Sequence, residues 1–272
     1  MSIITISRGT FSGGQALAEC VAKKLGYRCL SREELLRRAA KDFGVSEEKL
    51  NTALMNKPGF LEGLSLRRIH YIAYVRAALC KEVQKDNVVY HGQAGHLLLQ
   101  GVPHVLRLKI IADMEYRIKA AMERNHLTRE EAIDYIKRMD EERNQWVKAI
   151  YHVDRNDPTT YDMVINLEHI TIESACEVIC RTVEAEFRTT PESQRIMDDL
   201  VMATDIRAKI AAARNIKDED IEILCKDGVV TILGSVSSIE DADRIRDLVR
   251  KQPGVKEIAS KLKAPIQSRI GF

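Results

Sequence analysis

Three glycines set between a β-branched run and an amphipathic helix constrain this chain more than any other feature in it. Ile3, Ile4 and Ile6 with Thr5 make a short run of the composition favoured in buried strands. Gly9, Gly13 and Gly14 interrupt the run. Ala16 to Leu25 then carries apolar residues on one helical face, with Gly26 placed to cap its end. Strand, glycine-rich turn and helix, in that order, aim backbone N–H groups and the positive end of a helix at an anion. Gly9 and Gly14 stand at the spacing of a phosphate-binding loop, yet Gln15 and Ala16 occupy its next two positions. That motif carries Lys there for the terminal phosphates and Ser or Thr for Mg²⁺. The turn predicts a phosphate cradle that lacks its usual cation and metal ligand. A plain turn joining strand to helix, with no ligand, is the competing reading.

Composition removes several function classes. The 272 residues suffice for one large domain or two, and 42 basic against 40 acidic residues leave a formal charge of +2. No overall field draws nucleic acid, so no nucleic-acid partner is expected. The first residues lack a basic and then long apolar leader, and no stretch approaches the roughly 20 apolar residues that span a bilayer. A soluble, cytoplasmic protein is the expectation. Six cysteines form no CxxC pair, and the seven histidines form no HxxxH or HExxH pattern, so no metal site is predicted. Cys176 and Cys180, four apart in an apolar helix, read as core.

Taken in order, the chain alternates strands and helices. Short strands are predicted at Tyr27–Leu30, Asn87–Gly92, His104–Ile111 and Asp162–Leu167. Ser31 with Glu34 and Thr128 with Glu131 read as capping boxes, and Asp113 as a cap. Asn56–Gly59 reads as a loop, Leu64–Lys85 as a long helix, and the helix from Thr128 through Arg143 is crowded with charge. Helices of this length between strands imply parallel pairing and a three-layer α/β domain. Ligands of such sheets bind beyond the carboxyl ends of the strands. That rule gathers the Gly9–Gln15 turn, the Gly92–Gly95 turn and the charged helix into one cleft. A compositional break at Thr189–Ser193 marks 189–195 as a linker between residues 1–188 and a second unit at 196–264, with 265–272 as a tail. That unit reads α-β-β-α-β around an Asp227-Gly228 hairpin turn, a small α+β domain.

On these residues the chain resembles two families. Ile4-Thr5-Ile6-Ser7-Arg8 leading to Ser12-Gly13-Gly14, Val88-Val89-Tyr90-His91-Gly92, Ala112-Asp113 with Arg117, Arg138-x-Asp140-x-x-Arg143, and Tyr161 to Asn166 follow one another as in the cytidylate kinase-like family. That family is a branch of the P-loop nucleoside monophosphate kinases, and the match spans residues 1 to about 188. Asp227 to Val236 and Gly254 to Ile258 resemble a BON domain, a family known for binding phospholipid surfaces or protein partners.

The resemblance implies a P-loop kinase-like parallel sheet and a set of roles. Ser12, Gly13, Gly14 and Gln15 would hold the phosphates of ATP through their amides, with Arg8 and Arg117 on the donor nucleotide. Arg138 and Arg143, with Asp140, would close over the transferring phosphoryl group, since arginine forks bind phosphate oxygens bidentately. Gly92 and Gln93 would face the acceptor monophosphate, and Mg²⁺ would accompany the donor. A solvated helix face laced with i,i+4 ion pairs is the ordinary alternative for these charges. Relatives commonly carry an acidic or amide residue at Gly9, glycine at Phe11, and arginine at both Gln15 and Gln93. The two missing arginines leave three readings open: a monophosphate kinase, a nucleotide-binding pseudo-kinase, and a protein whose working part is the BON unit. The mixed charge of that unit favours a protein partner or self-association over anionic lipid, and its apolar stripes predict that it folds alone.

Overall fold

The computed structural model of the chain describes residues 1–55, 66–213, 216, 218 and 220–264. Its larger part opens with β1 (Ile3–Arg8), α1 (Gly14–Leu25), β2 (Arg28–Ser31), α2 (Arg32–Phe43), α3 (Glu47–Met55) and α4 (Leu66–Val83). It continues with β3 (Val88–His91), α5 (Gly95–Leu98), β4 (Val105–Ile111), α6 (Met114–Asn125), α7 (Arg129–Tyr151), β5 (Met163–Asn166) and α8 (Ile172–Glu186). The loop expected at Asn56–Gly59 lies outside the described residues, as does the tail at 265–272.

All five strands pair in parallel, in the order β2-β3-β1-β4-β5. Alternation along β1 shows why. Ile3 joins Leu30, Val88 and Val105 in the core on one side of the sheet, while Ile4 and Ile6 join Val89, Leu106 and Leu108 on the other. A strand buried on both faces needs helices on both, which only parallel crossovers supply. Leu17, Ala18 and Val21 of α1 with Cys176, Ile179 and Cys180 of α8 cover the second face. Helices α2, α3 and α4 cover the first, together with Trp146 of α7, whose indole N–H donates to the Ala53 carbonyl at 2.7 Å. That bond lets a fully buried Trp keep its donor satisfied.

Local chemistry sets the helix starts. Ser31, Asp113, Thr128 and Thr171 each accept a backbone N–H in the first turn of α2, α6, α7 and α8, and Thr128 with Glu131 completes a capping box. Helix α7 runs unbroken to Tyr151, so the helical stretch read from Trp146 to His152 continues the charged one.

The second unit comprises α9 (Pro191–Ala212), β6 (Glu222–Lys226), β7 (Val229–Ser235), α10 (Ile239–Arg250) and β8 (Glu257–Lys263). Asp227 and Gly228, at φ 52° and 85°, turn β6 antiparallel into β7, and β8 lies parallel on β7. Ile206, Ile210, Ile223, Val230, Ile232, Ile245 and Val249 fill its core. Helix α9 starts earlier than the sequence suggests, at Pro191, because Thr190 and Ser193 cap it reciprocally. Its two faces serve different cores. Met197, Ala208 and Ala211 pack with α4, whereas Ala203, Ile206 and Ile210 pack beneath the three-stranded sheet. Among the described residues no helix is long and apolar enough to cross a membrane.

Candidate active site

The carboxyl ends of β1, β3 and β4 open onto a cleft in which the glycine turn is held rigidly. Gly13 adopts φ 80°, and a Cβ there would stand 3.0 Å from Leu167 Cδ1 and 3.1 Å from Tyr116 Oη. A Cβ on Gly14 would stand 2.7 Å from Arg8 Cβ. Glycine is therefore required at both, once for backbone conformation and once for close approach. Ser12, fully buried, donates its hydroxyl toward the Gly9 and Ile110 carbonyls at 3.0 and 3.2 Å, tying the turn to β4. The turn faces a cavity of about 500 Å³ lined also by Arg8, Glu33, Arg124, Tyr135 and Arg143.

Thr10 is the knot of the site. Asp140 Oδ1 accepts its amide at 3.1 Å and its hydroxyl at 2.7 Å, Arg117 Nε donates to its carbonyl at 2.8 Å, and Arg143 Nη1 donates to its hydroxyl at 3.0 Å. Arg117 and Asp140 also form an ion pair. Burial alone would raise the Asp140 carboxyl, but the Thr10 bonds and the Arg117 charge outweigh it and hold it below the ordinary value. Arg117 and Asp140 thus act on the turn in this structure, as positioning residues. Phe11, at φ 58°, lays its ring 5.9 Å from that of Tyr135 and packs with Ile118, Ala121 and Ile136, joining the turn to α6 and α7.

The remaining sequence candidates divide. Arg143 lines the cleft, whereas Arg138 is exposed, its guanidinium 5.7 Å from the centre of the Tyr135 ring and in neither cavity of the cleft. Helical phase separates them: five residues at 3.6 per turn place Arg138 about 140° around α7 from Arg143, while Asp140 and Arg143 are only about 60° apart. Gln15 donates to Glu19 at 3.0 Å and accepts from Arg124 at 3.2 Å, so a cation stands beside the position that carries none.

Gly92 and Gln93 border a second cavity, of about 50 Å³, whose other walls are Arg8, Arg32, Glu33, Arg143 and Arg155. The buried Tyr90 ring lies against this turn: a Cβ on Gly92 would meet Tyr90 Oη at 2.3 Å, and one on Gly95 would meet Tyr90 Cδ1 at 2.7 Å. Arg143 has its pKa pushed down to about 10 by burial and by Arg155, and stays charged at neutral pH. Sequence reading missed Arg32, Arg124 and Arg155. Arg32 looks like an ordinary first-turn residue, and Arg155 lies in a polar loop without any motif.

Arg155 is built in firmly. It donates to the Arg8 carbonyl, and its own carbonyl accepts from Lys109 Nζ at 2.8 Å and Tyr161 Oη at 3.0 Å. Lys109 also donates to Asn156 Oδ1 at 2.9 Å. Burial, reinforced by Arg155, pushes the Lys109 pKa down from 10.5 to about 8. Between these values the unfolded chain binds more protons than the folded one, so this group makes stability rise with pH across the window. Lys109→Met should remove that rise. Urea unfolding of both proteins at about pH 8 and pH 10, inside that window, checks it, and equal slopes would contradict it.

Among the described residues no cluster of three or more His, Cys, Asp or Glu side chains could hold a metal. Comparison with known proteins follows the same division of the chain. The model of the cytidylate kinase-like family matches residues 3–169, and that of the BON domain matches residues 198–265. A cytidylate kinase of Ignicoccus hospitalis is 26% identical over 183 residues, 66% of this chain and 98% of that protein. One of Archaeoglobus fulgidus is 26% identical over 185 residues, 67% of this chain and 95% of that protein. The crystal structure of an uncharacterized protein from Eubacterium ventriosum superposes with a TM-score of 0.53 at 21% identity, covering 68% of this chain and all of the other. The last likeness concerns the fold alone.

Proposed function

Since the chain belongs to the cytidylate kinase-like family, we propose that it transfers a phosphoryl group from ATP to a nucleoside monophosphate in the cytoplasm. The observation that carries this reading is the cavity over the glycine turn, onto which Arg8, Arg124 and Arg143 converge. The amides of Gly13, Gly14 and Gln15 at the start of α1 bind the donor phosphates, the Ser12 amide being taken by the Gly9 carbonyl at 3.2 Å. Arg124, beside Gln15, supplies the charge that residue 15 lacks. Arg143 neutralises charge on the transferring group, and the reaction needs position and electrostatics with no covalent protein intermediate.

Mg²⁺ travels with donor phosphates and takes few protein ligands, commonly one or two carboxylates. Ala16 offers none, and the Ser12 hydroxyl and the Asp140 carboxylate are already engaged. Glu33, the one carboxylate residue lining both cavities, would meet it only by giving up its pairing with Arg32. The ion would supply charge neutralisation of the donor phosphates.

One observation favours a second reading, nucleotide binding without turnover: the Thr10 amide points at Asp140 and is lost to any phosphate. A coupled assay with ATP, Mg²⁺ and each monophosphate separates the two, with calorimetry alongside. Under both readings Gly13→Val should abolish the thermal stabilisation that ATP confers, because valine cannot adopt φ 80° and its Cβ crowds Leu167 and Tyr116. Stabilisation that survives intact would place the nucleotide elsewhere. In this reading residues 1–188 carry the chemistry and 196–264 dock a protein partner or a second copy, since Lys and Arg there are interspersed with Asp and Glu.

A further inference from the structure

The three-stranded sheet ends at β6, and that edge does not face open solvent. In the order β6-β7-β8, β6 pairs with β7 on one side and, among the described residues, with no strand on the other. Beyond it lies a cavity of about 680 Å³, a volume typical of ligand sites. Every residue from Ile221 to Asp227 lines it. Successive side chains of a strand point to opposite faces, so a cavity on either face would meet every second residue. A cavity lined by all of them meets the edge itself, where the backbone N–H and C=O groups turned away from β7 lie. Among the described residues, none of Glu222–Lys226 makes a backbone hydrogen bond beyond the sheet. Such a row of unpaired groups is a template for another strand.

The far wall belongs to both units. Arg195, Ile196, Asp199 and Leu200 form one stripe of α9, and α4 with the Gln100–Val102 turn completes it. Wall and strand are fastened together at one end, where Asp199 accepts the Asp227 amide at 3.0 Å and the Cys225 thiol at 3.3 Å. A wall formed in advance lowers the entropy lost on binding. The surfaces it offers are amphipathic. Leu224 on the strand is 48% exposed and Ile196 on the wall 36%, both high for large apolar side chains. Along β6, Glu222, Leu224 and Lys226 share the exposed face, while Ile223 and Cys225 turn toward the core. Neither Glu222 nor Lys226 has a charged partner among the described residues.

We infer that the free edge of β6 docks one extended segment of a partner protein. The segment adds antiparallel and carries an acidic, an apolar and a basic residue at alternate positions, in that order from its N-terminus. Pairing centred on Leu224 then sets the acidic residue opposite Lys226 and the basic one opposite Glu222, cross-strand pairs that stabilise a sheet. A walled cavity takes a single segment, whereas a second copy pairing through its own β6 would bring its β7 and helices along. The inference rests on the docking reading of residues 196–264 and not on phosphoryl transfer.

The probe is a fluorescein-labelled peptide, Thr-Glu-Val-Leu-Val-Lys-Thr, with its charge-swapped twin Thr-Lys-Val-Leu-Val-Glu-Thr, each titrated with the full chain and followed by anisotropy. The first should bind about tenfold more tightly than the twin, and the double variant Glu222→Lys with Lys226→Glu should reverse that preference. Both replaced side chains are exposed, so the variant keeps the fold. Methylating the peptide nitrogens one at a time should weaken binding about tenfold at alternate positions and little between them, because only every second N–H of an added strand faces β6. Equal affinity for the two peptides, or losses that ignore the alternation, would overturn strand addition. Sedimentation equilibrium covers the other occupant. A dimer that is lost in Leu224→Lys would give the edge to a second copy, overturning this inference while the docking reading stands. A monomer that binds neither peptide would sink both, and the coupled assay for phosphoryl transfer stands apart from either result.

Discussion

Arg143→Ala is expected to lower the rate of phosphoryl transfer by a factor of about 10³, the scale seen when an arginine or an oxyanion donor is removed from a charge-stabilised transition state. Arg143 borders both cavities and is held by the Thr10 hydroxyl at 3.0 Å, so its fork is aimed before substrate arrives. Its pKa, pushed down to about 10 by burial and by Arg155, reflects a site whose electrostatics improve when negative charge enters. Steady-state kinetics with ATP, Mg²⁺ and the best monophosphate provide the measurement, with circular dichroism as a control for folding. Arg143→Lys should recover only part of the loss, because an ammonium group cannot make the bidentate contact. A fall of less than tenfold in Arg143→Ala would remove this residue from the chemistry.

The second large effect lies far from the cleft. Asp218, fully buried, accepts from His70 of α4 at 2.6 Å and from Arg207 of α9 at 2.6 Å, and its carbonyl accepts from Arg207 at 3.0 Å. Burial alone would raise its carboxyl, but His70 and Arg207 outweigh that and hold it below the ordinary value of 3.8. A depressed carboxyl contributes stability above its unfolded pKa, and that stability is lost as pH falls through the folded value. Asp218→Ala leaves Arg207 and His70 facing one another in a largely buried place. The expected cost is about 3–5 kcal/mol, the range for removing one partner from a buried ionic cluster. Urea unfolding at pH 7 measures it. A loss below about 1 kcal/mol would mean that the pair behaves as a surface salt bridge. Because His70 belongs to α4 and Arg207 to α9, the variant also tests whether this cluster fastens the two units along their shared helix.

Much of the architecture was legible beforehand because its causes are local. A cap bonds a backbone N–H three residues away, so Ser31, Asp113, Thr128 and Thr171 announce helices whatever the rest of the chain does. The β-branched runs and the helices between them led to a parallel sheet, and Asp227-Gly228 led to a hairpin, as found. The glycine turn was equally readable. Local reasoning erred over extent at the second unit, where α9 begins at Pro191 and not at Ile196.

The charge of the cleft was another matter. Sequence reading placed Arg138 over the transferring group, although the phase of α7 already turns it about 140° away from Arg143. It treated Gln15 and Gln93 as holes in the positive field, because the residues that stand beside them are remote in the chain. Arg124 reaches Gln15 across 109 positions, and Arg155 reaches β1 across 147. Composition, caps and glycines determined the elements and the glycine turn between β1 and α1, since each acts within a few residues of itself. Which cations face that turn, and which merely hold it, was decided by the strand order β2-β3-β1-β4-β5. That order sets β1 between β3 and β4 and so brings the ends of distant segments to one edge of the sheet, a placement for which neighbouring residues carry no signal.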